Sequence, residues 1–256
     1  MLRRLLAHPL TRALDIDDPA TTVLRRSIVH SKPFLKRIYE EWYRAIANCL
    51  PDVPGSVLEL GSGAGFLADY VPGLITSEVF YCPNVRLVLD GQSLPIGSES
   101  LRGIAMINVL HHVPDTRAFL TEAARCLRPG GVIAMIEPWV SPWSHLIYTG
   151  LHHEPFETDV RDWRHSSSGP LSGANGALPY IVFKRDQAIF ASEFQNLEIS
   201  TIQPFMPFRY LVSGGVSMRA LMPAFTFPIW TRLERWMKPQ MDDWAMFALL
   251  AVTKRP

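Results

Sequence analysis

A short apolar run that passes directly into a cluster of glycines constrains the fold of this chain more than any other feature. Residues 56–60 (SVLEL) predict a buried strand, and residues 61–65 (GSGAG) form the turn that follows it. A strand, a glycine turn and a helix in succession bring backbone N–H groups and the positive end of a helix dipole to one point. Glycine also lets a ligand approach the backbone closely. The sequence therefore predicts an α/β fold, a helix over residues 66–70, and a site for an anionic or zwitterionic ligand at this turn.

The spacing of the glycines separates two classes of ligand. In the dinucleotide-binding pattern GxGxxG, the third glycine stands three residues after the second. Here that position is Phe66, and the third glycine comes one residue earlier, at Gly65. NAD or FAD is therefore disfavoured, which leaves a nicotinamide-dependent oxidoreductase as the weaker alternative. A glycine turn with a purely structural role in another kind of α/β protein stays open at this point.

Strands and helices alternate after the glycine turn. Apolar runs predict further strands over residues 74–79, 85–89, 104–110 and 132–136. Residues 115–127 predict a helix, and residues 244–254 predict a last strand that could pair antiparallel with residues 197–203 at the sheet edge. Such alternation is typical of an open parallel sheet with helices on both faces. The predicted fold class is α/β, a Rossmann-like doubly wound sheet, mostly parallel with an antiparallel last strand.

We expect two parts in the chain, with two additions to the second. Residues 1–54 predict an N-terminal helical segment, in which one face carries apolar side chains at a spacing of four, namely Phe34, Ile38, Trp42 and Ile46. Residues 55–256 would form the ligand-binding domain. Its inserts at residues 139–185 and 204–243 interrupt the alternation and predict a helical and loop cap. The Ser- and Gly-rich stretch of the first insert could serve as a lid over the site, or it is a surface loop with no functional role.

Charge and cysteine content limit the partners. The 256 residues carry a net charge of +1, so nothing attracts nucleic acid at long range and such a partner is disfavoured. Cys49, Cys82 and Cys126 are far apart and match neither a zinc site nor a disulfide framework, which predicts reduced thiols in a cytoplasmic protein. No apolar run approaches the ~20 residues of a membrane-spanning helix, and the N-terminal stretch is too interrupted for a signal peptide. Peripheral contact with a membrane stays open.

Four motifs in order resemble the class I S-adenosylmethionine-dependent methyltransferases, and within them the type 11 group. They are ELGSGAG at residues 59–65, LDGQSLP at 89–95, NVLHHVPD at 108–115 and LRPGG at 127–131. The resemblance covers residues 56–138, about a third of the chain. There are two departures. The connection between the second and third strands is short, and the second-strand acid, Glu78, follows Thr-Ser rather than Gly-Val.

The resemblance implies S-adenosylmethionine as the cofactor and a reaction that needs no metal. Glu78 would accept hydrogen bonds from the ribose hydroxyls, or it is an exposed carboxylate at a strand end. Asp90 would lie near the adenine amino group, with the N–H of Gly91 at a ring nitrogen, or it is a plain turn aspartate. The full set of expected cofactor-binding residues is Glu59, Gly61, Ser62, Gly63, Gly65, Glu78, Asp90, Gly91 and Asn108.

The candidate catalytic residues end the fourth and fifth strands or lie in the first insert. A hydroxyl acceptor would need a base, and histidine suits neutral pH. The candidates are His111, Glu137, His152 and His153. Each has a structural alternative: His111 as a packing residue, as we expect for His112, Glu137 in a salt bridge or helix cap, and the other two on a surface loop. The run HHE at residues 152–154 does not predict a metal site, because adjacent histidines point in different directions and no third ligand is spaced to match.

The aromatic and Met-containing segment at residues 204–237 bears on the substrate class. Four of its apolar side chains are predicted to share one helical face, namely Trp230, Leu233, Trp236 and Met237. The segment would form an apolar acceptor pocket, a membrane-surface helix, or the core of a cap, the last being favoured. We expect methyl transfer to a small or lipid-like, largely apolar acceptor, with O-methylation favoured over nitrogen or carbon. The alternative from another class is a methyltransferase-like binding or regulatory protein without turnover.

Overall fold

The described part of the N-terminal segment contains two long helices. The computed structural model describes residues 8, 10, 15, 17–152, 154–169 and 171–256. Helix α1 (Pro19–Ser31) begins after Asp18, whose carboxylate accepts a hydrogen bond from the N–H of Ala20, and α2 (Pro33–Cys49) follows directly. The α2 side chains expected to share an apolar face are all buried, namely Phe34, Ile38, Trp42 and Ile46. The predicted apolar face of this helix is confirmed.

Among the described residues, seven strands form one sheet. They are β1 (Ser56–Leu60), β2 (Ile75–Glu78), β3 (Leu87–Val88), β4 (Leu101–Ile107), β5 (Leu127–Pro138), β6 (Leu197–Phe205) and β7 (Phe247–Lys254). The sheet order is β3-β2-β1-β4-β5-β7-β6, parallel from β3 to β5, with β7 antiparallel to both β5 and β6. The predicted fold class is therefore confirmed. The chain order reverses between β1 and β4, and ligands of open α/β sheets bind at such a point, outside the carboxyl ends of the strands.

Helices and short helical turns connect the strands. The helices are α3 (Thr116–Cys126), α4 (Pro142–Leu151), α5 (Leu178–Tyr180), α6 (Gln187–Glu193), α7 (Arg209–Ser213), α8 (Phe227–Trp236) and α9 (Met241–Trp244). A π-helical turn at Ile181–Arg185 continues α5, and 3-10 turns lie at Leu67–Asp69, Leu110–His112, Ala224–Thr226 and Lys238–Gln240. No helix in the described part of the chain is long and apolar enough to cross a membrane.

The segment after the glycine turn differs from the prediction. In place of a helix over residues 66–70, the chain makes a single 3-10 turn at Leu67–Asp69. The N–H of Phe66 donates to the hydroxyl of Tyr43 at 3.0 Å, and the two rings pack edge-on with 4.7 Å between centroids. This contact with α2 holds Phe66 in a non-helical conformation, and so short a turn has little dipole. The turn therefore lacks the helix dipole that the sequence predicted, and the N–H groups of residues 62, 63, 65 and 66 donate to oxygens of the protein.

Several strand ends also lie away from their predicted positions; β5, for example, begins at Leu127 rather than at residue 132. At two other ends the cause is visible in the backbone. Strand β4 ends at Ile107 because Asn108 adopts a left-handed conformation with φ +56°, and the next residues form a 3-10 turn. Strand β7 begins at Phe247, because Met241–Trp244 forms the short helix α9. In both places the apolar pattern of the strand runs on beyond the point where the backbone leaves the sheet.

Candidate active site

A cavity of about 570 Å³ lies at the carboxyl ends of β1, β2, β3 and β4. Small-molecule sites typically occupy roughly 300–1,000 Å³. The expected cofactor residues that line it are Gly61, Glu78, Asp90, Gly91 and Asn108. The remaining ones do not line it, namely Glu59, Ser62, Gly63 and Gly65. The cavity thus lies where the sheet reverses order, and the glycine turn forms part of its wall.

The carboxylate of Glu78 ties the end of β2 to the glycine turn. Its Oε1 accepts a hydrogen bond from the N–H of Gly63 and its Oε2 from the N–H of Val79, each at 3.1 Å. Burial raises the pKa of Glu78, and both backbone hydrogen bonds oppose that effect. A carboxylate oxygen has two lone pairs, so each oxygen can still accept from a ligand hydroxyl. Glu78 is therefore a buried structural group that keeps acceptor capacity toward the cavity.

Glu59 supports the glycine turn from behind. It is buried, and burial raises the pKa of its carboxyl to about 7. Its backbone oxygen accepts hydrogen bonds from the hydroxyls of Ser62 and Ser77, at 3.3 and 2.6 Å. The structure therefore places this residue among the groups that shape the turn rather than among those that face the cavity.

Asp90 lies at the mouth of the cavity and is exposed. Its Oδ1 accepts a hydrogen bond from the N–H of Gln92 at 2.8 Å, and the Gln92 side-chain amide donates to both carboxylate oxygens at 3.1 Å. These bonds hold the carboxylate in one orientation at the end of β3. An oriented acceptor at this position fits an amino group of a bound ligand.

The N-terminal helices cover the glycine turn, which the sequence did not indicate. Thr22 and Arg25 of α1 and Tyr39 of α2 line the cavity. The guanidinium of Arg26 donates to the backbone oxygen of Gly65. Helical periodicity identifies the buried face of such a helix, but it does not say which part of the molecule that face covers. No local signal could have found these residues.

His111 is held between two carboxylates at the end of β4. Its Nδ1 lies 2.7 Å from Oε2 of the fully buried Glu137, whose Oε1 accepts from the N–H groups of Val109 and Leu110, each at 2.8 Å. On its other side, Nε2 of His111 lies 3.6 Å from Oε2 of Glu154. Glu137 does not line the cavity, whereas His111 and Glu154 do. Glu137 therefore orients the 3-10 turn at Leu110–His112 from the side that faces away from the cavity.

Two more imidazoles surround Glu154. Nε2 of His112 lies 3.8 Å from its Oε1, and Nδ1 of His152 lies 3.6 Å from its Oε2. The Nδ1 of His112 is 3.1 Å from the backbone oxygen of Gly173, in the Ser- and Gly-rich stretch of the first insert. His153 lies outside the described residues. Sequence reasoning missed Glu154 and His112 as site residues, since their proximity depends on how the insert folds back over the turn after β4.

The carboxylates set the protonation of this cluster. Burial alone would lower the pKa of His111, but hydrogen bonds to Glu137 and Glu154 and their negative charges outweigh it and raise that pKa to about 9. Burial, together with the positive charge of His111, lowers the pKa of His112 to about 4. Near neutral pH the cluster therefore combines a positive His111 with a neutral His112. In this state His112 can accept a proton, while His111 holds one already.

The other half of the cavity is aromatic. Tyr148 of α4 and Phe156 of the first insert stack with 4.7 Å between ring centroids. Side chains from the second insert and the last strand complete this wall, among them Tyr210, Val216 and Phe247. Ser167, Ser168 and Gly169 of the first insert also line the cavity. Both inserts therefore contribute to an apolar space that continues from the glycine turn.

The rest of the aromatic segment lies elsewhere. In and beside α8, Phe225, Ile229 and Trp236 are 79%, 68% and 75% exposed. Trp230 instead packs against Phe208, with 6.2 Å between ring centroids. Of the four residues expected to share one face, Trp230 and Met237 pack against the core, whereas Leu233 and Trp236 are exposed. The favoured cap-core interpretation therefore holds for only part of this helix. The side of α8 that packs inward carries Phe227 and the buried Glu234, whose carboxylate pairs with Arg209.

Comparisons with known proteins bear on the central part of the chain. Residues 58–135 match a family model described as a methyltransferase domain. The match runs from β1 into β5 and contains the glycine turn, Asp90 and Asn108. No curated protein matches the chain in sequence.

The solved structures similar to this chain have low sequence identity to it. Geranyl diphosphate C-methyltransferase from Streptomyces coelicolor A3(2), in complex with Mg²⁺, a substrate analogue and S-adenosyl-L-homocysteine, is 14% identical with a TM-score of 0.52, covering 86% of this chain and 77% of that one. Its complex with geranyl diphosphate gives 12% identity and a TM-score of 0.52, covering 87% and 81%. An S-adenosylmethionine-dependent methyltransferase from Mesorhizobium loti is 14% identical with a TM-score of 0.49, covering 82% and 96%.

Proposed function

We propose that this chain, a class I S-adenosylmethionine-dependent methyltransferase, methylates a small or lipid-like, largely apolar acceptor, and that oxygen is the atom methylated. The observation that carries the proposal is the continuity of one cavity. It begins at Gly61 and Asp90, passes the histidine cluster, and ends among Tyr148, Phe156 and Tyr210. An aromatic wall suits an apolar body with one polar group to be methylated.

The residues of the cofactor half fit S-adenosylmethionine, which supplies a methyl carbon bonded to a positively charged sulfur. Glu78 would accept from the ribose hydroxyls with the lone pairs that its backbone hydrogen bonds leave over. Asp90 and the N–H of Gly91 would hold the adenine ring, and the backbone around Gly61 and Asn108 would bind the amino-acid portion. The protein's main contribution is to place the acceptor atom in line with the methyl carbon.

The histidine cluster supports oxygen as the acceptor atom. A hydroxyl gives up its proton during methylation, and a base or an electrostatic partner at its oxygen assists that step. The cluster presents His112 and Glu154 to the cavity between its cofactor and aromatic halves. Because water is largely excluded there, the negative charge of Glu154 interacts more strongly with a nearby polar group than it would in water.

The exposed side of α8 supports a lipid-like acceptor and a location at an anionic, cytoplasmic membrane face. Its apolar residues Phe225, Ile229 and Trp236 are interspersed with exposed cations, namely Arg232, Arg235 and Lys238. Apolar side chains that enter the interface beside cations that meet anionic headgroups are the features of a peripheral membrane helix.

Sedimentation with vesicles tests this contact. Wild type should bind vesicles that contain phosphatidylglycerol and Trp236→Gln should bind them less, whereas Tyr81→Ser, which alters an exposed aromatic far from α8 in the sequence, should bind like wild type. Equal binding of all three proteins would refute the contact.

A methyl-transfer screen tests the proposed function. Labelled S-adenosylmethionine is incubated with paired acceptors that differ only in a hydroxyl or an amino group on the same apolar body. We expect transfer to hydroxyl members, with little or none to amino members. Transfer only to RNA or protein would refute the acceptor class. Cofactor binding without transfer to any acceptor would support the binding-protein alternative, and NAD in place of S-adenosylmethionine as the tight ligand would support the oxidoreductase.

A further inference from the structure

The donor atoms around Glu154 have the spacing of metal ligands. Nε2 of His111, Nε2 of His112 and the carboxylate of Glu154 all lie within 4.8 Å of one another, and the two imidazole nitrogens are 3.6 and 3.8 Å from the carboxylate oxygens. Ligand atoms bound about 2.0–2.1 Å from a tetrahedral Zn²⁺ ion are roughly 3.3 Å apart. The two histidine–carboxylate distances exceed this separation by a few tenths of an ångström, and no two donor atoms would have to approach each other by more than about 1.5 Å to bind one ion.

Both histidines are oriented as metal-binding histidines usually are. The Nδ1 of His111 meets the carboxylate of Glu137 at 2.7 Å, and the Nδ1 of His112 meets the backbone oxygen of Gly173 at 3.1 Å. These oxygens only accept, so each Nδ1 carries a hydrogen, and a metal ion would bind the Nε2 of each ring, displacing from His111 the second proton that it holds near neutral pH. A carboxylate or carbonyl behind the ring fixes the tautomer of metal-bound histidine in the same way. The two rings are thus oriented with both Nε2 atoms toward the carboxylate of Glu154.

The charge of the cluster also favours a cation. Glu137 and Glu154 place two negative charges in a largely buried site, and the protonated His111 offsets only one of them. A divalent ion that displaced this proton would neutralise both charges. The site opens into the cavity, so an ion held by three protein ligands would keep at least one open position. His152, with Nδ1 3.6 Å from Oε2 of Glu154, lies close enough to become a further ligand.

We infer that His111, His112 and Glu154 bind a divalent transition-metal ion, and that Zn²⁺ is the ion this set suits best. Two imidazoles and one carboxylate with an open position are a catalytic zinc set, and such sets also accept other first-row divalent ions. This inference departs from our sequence-based expectation of no metal, which rested on the family resemblance, the cysteine spacing and the run at residues 152–154. The third ligand comes from the insert, while the histidines come from the end of β4.

The ion deepens the proposed function, on which its catalytic role rests. An acceptor hydroxyl would bind the ion through oxygen, and coordination acidifies it so that its proton is released to solvent. The oxygen then supplies the electron pair of the new carbon–oxygen bond. At the same time the bond between the methyl carbon and sulfur breaks, and its electron pair stays on sulfur.

Metal titration of chelator-stripped protein tests the site without any acceptor. Calorimetry with Zn²⁺ and visible absorption with Co²⁺ should each show one ion per chain. Glu154→Gln and His112→Ala should weaken Zn²⁺ binding about a hundredfold or more, and Glu137→Gln, which removes the group behind His111, about ten- to hundredfold. His145→Ala removes an exposed histidine of α4 that does not line the cavity, and it should bind Zn²⁺ like wild type.

Folding and function are measured alongside. Each variant should keep its affinity for S-adenosylhomocysteine, so that a loss of metal is not a loss of fold. No ion bound by wild type, or equal binding by wild type and the Glu154→Gln/His112→Ala double variant, overturns the inference. Methyl transfer that persists in excess chelator overturns the catalytic role and leaves the proposed function intact. A protein that binds Zn²⁺ at this site but methylates nothing supports the metal site and contradicts the proposed function.

Discussion

The two halves of the cavity are built in different ways. In the cofactor half the backbone does most of the positioning: Gly61 and Asn108 have positive φ, and Glu78 bonds to the N–H of Gly63. The acceptor half takes side chains from segments far apart in the chain, among them Tyr148, Phe156 and Tyr210. A change in the first half strains backbone that cannot move independently, whereas a change in the second removes contact surface. Variants of the two halves should therefore differ in which ligand they affect and in how strongly.

The largest effect, on the free energy of unfolding, is expected at Glu59, the buried acid beside the glycine turn. Burial raises the pKa of Glu59 to about 7, against 4.5 for an ordinary glutamate. The folded state holds the proton on Glu59 more tightly than the unfolded state does. The resulting contribution of Glu59 to the free energy of unfolding is fully present below about pH 4.5 and is lost, by up to ~3 kcal/mol, as the pH rises to about 7. Glutamine does not ionise, so Glu59→Gln should lose less stability than wild type over this interval.

Denaturant unfolding of the cofactor-free proteins at about pH 5 and about pH 8 measures the difference. Glu198→Gln, which alters an exposed carboxyl on β6, is the matched control and should follow wild type at both values. A gap between Glu59→Gln and wild type that is the same at both pH values would show that Glu59 is already ionised in the fold. Water would then reach the carboxyl of Glu59 more readily than the burial of this residue indicates.

The next effect is steric, at the glycine turn. A Cβ on Gly63 would lie 2.7 Å from Oε1 of Glu78 and would also collide with Thr22. Overpacking of this kind costs about 1–3 kcal/mol, and ~1.4 kcal/mol is tenfold in affinity. Gly63→Val should therefore weaken S-adenosylmethionine roughly ten- to hundredfold in calorimetry. Gly150→Val, where a Cβ would meet nothing within 4 Å, should bind normally. Unchanged binding by a folded Gly63→Val protein would mean that the cofactor does not depend on this turn.

A smaller effect is expected at the mouth of the cofactor half. Asp90 would make one polar contact to the adenine amino group, and a contact left unmatched costs roughly 1–3 kcal/mol. Asp90→Ala should therefore raise the dissociation constant of S-adenosylmethionine about tenfold. Asp90→Asn keeps an accepting oxygen for the N–H of Gln92 and should lie between the alanine variant and wild type. Identical dissociation constants for all three proteins would mean that the adenine ring does not bind at the end of β3.

The same contrast explains which parts of the molecule could be predicted. The mostly parallel sheet and its antiparallel last strand could be predicted from contiguous apolar runs, and motifs at the strand ends identified five residues that line the cavity. The helix over residues 66–70 was predicted wrongly, since the hydroxyl of Tyr43 on another helix takes the N–H of Phe66. Periodicity along one segment cannot report a contact of this kind.

The acceptor half was beyond sequence reasoning for a related reason. Glu154 meets His111 only because the insert returns over β4, and the spacing between them in the chain carries no trace of that. The aromatic segment shows a second limit. Tyr210 and Trp236 belong to one stretch of similar composition, yet the first lines the cavity and the second is 75% exposed. Composition indicates that such residues matter but not which side of the molecule they face.

The smallest effect is expected in the acceptor half, at Phe156. Its ring stacks on Tyr148 and faces the cavity, and aromatic pairs contribute about 0.5–1.5 kcal/mol beyond buried area. Phe156→Leu keeps an apolar side chain but removes the ring, so KM for the best acceptor of the screen should rise roughly two- to tenfold. The affinity for S-adenosylmethionine should stay unchanged, because Phe156 lies in the other half. Phe225→Leu changes an exposed phenylalanine outside the cavity and should alter neither constant. If Phe156→Leu weakened the cofactor as much as the acceptor, the two halves would not be independent, and the division of the cavity on which these variants rest would have to be abandoned.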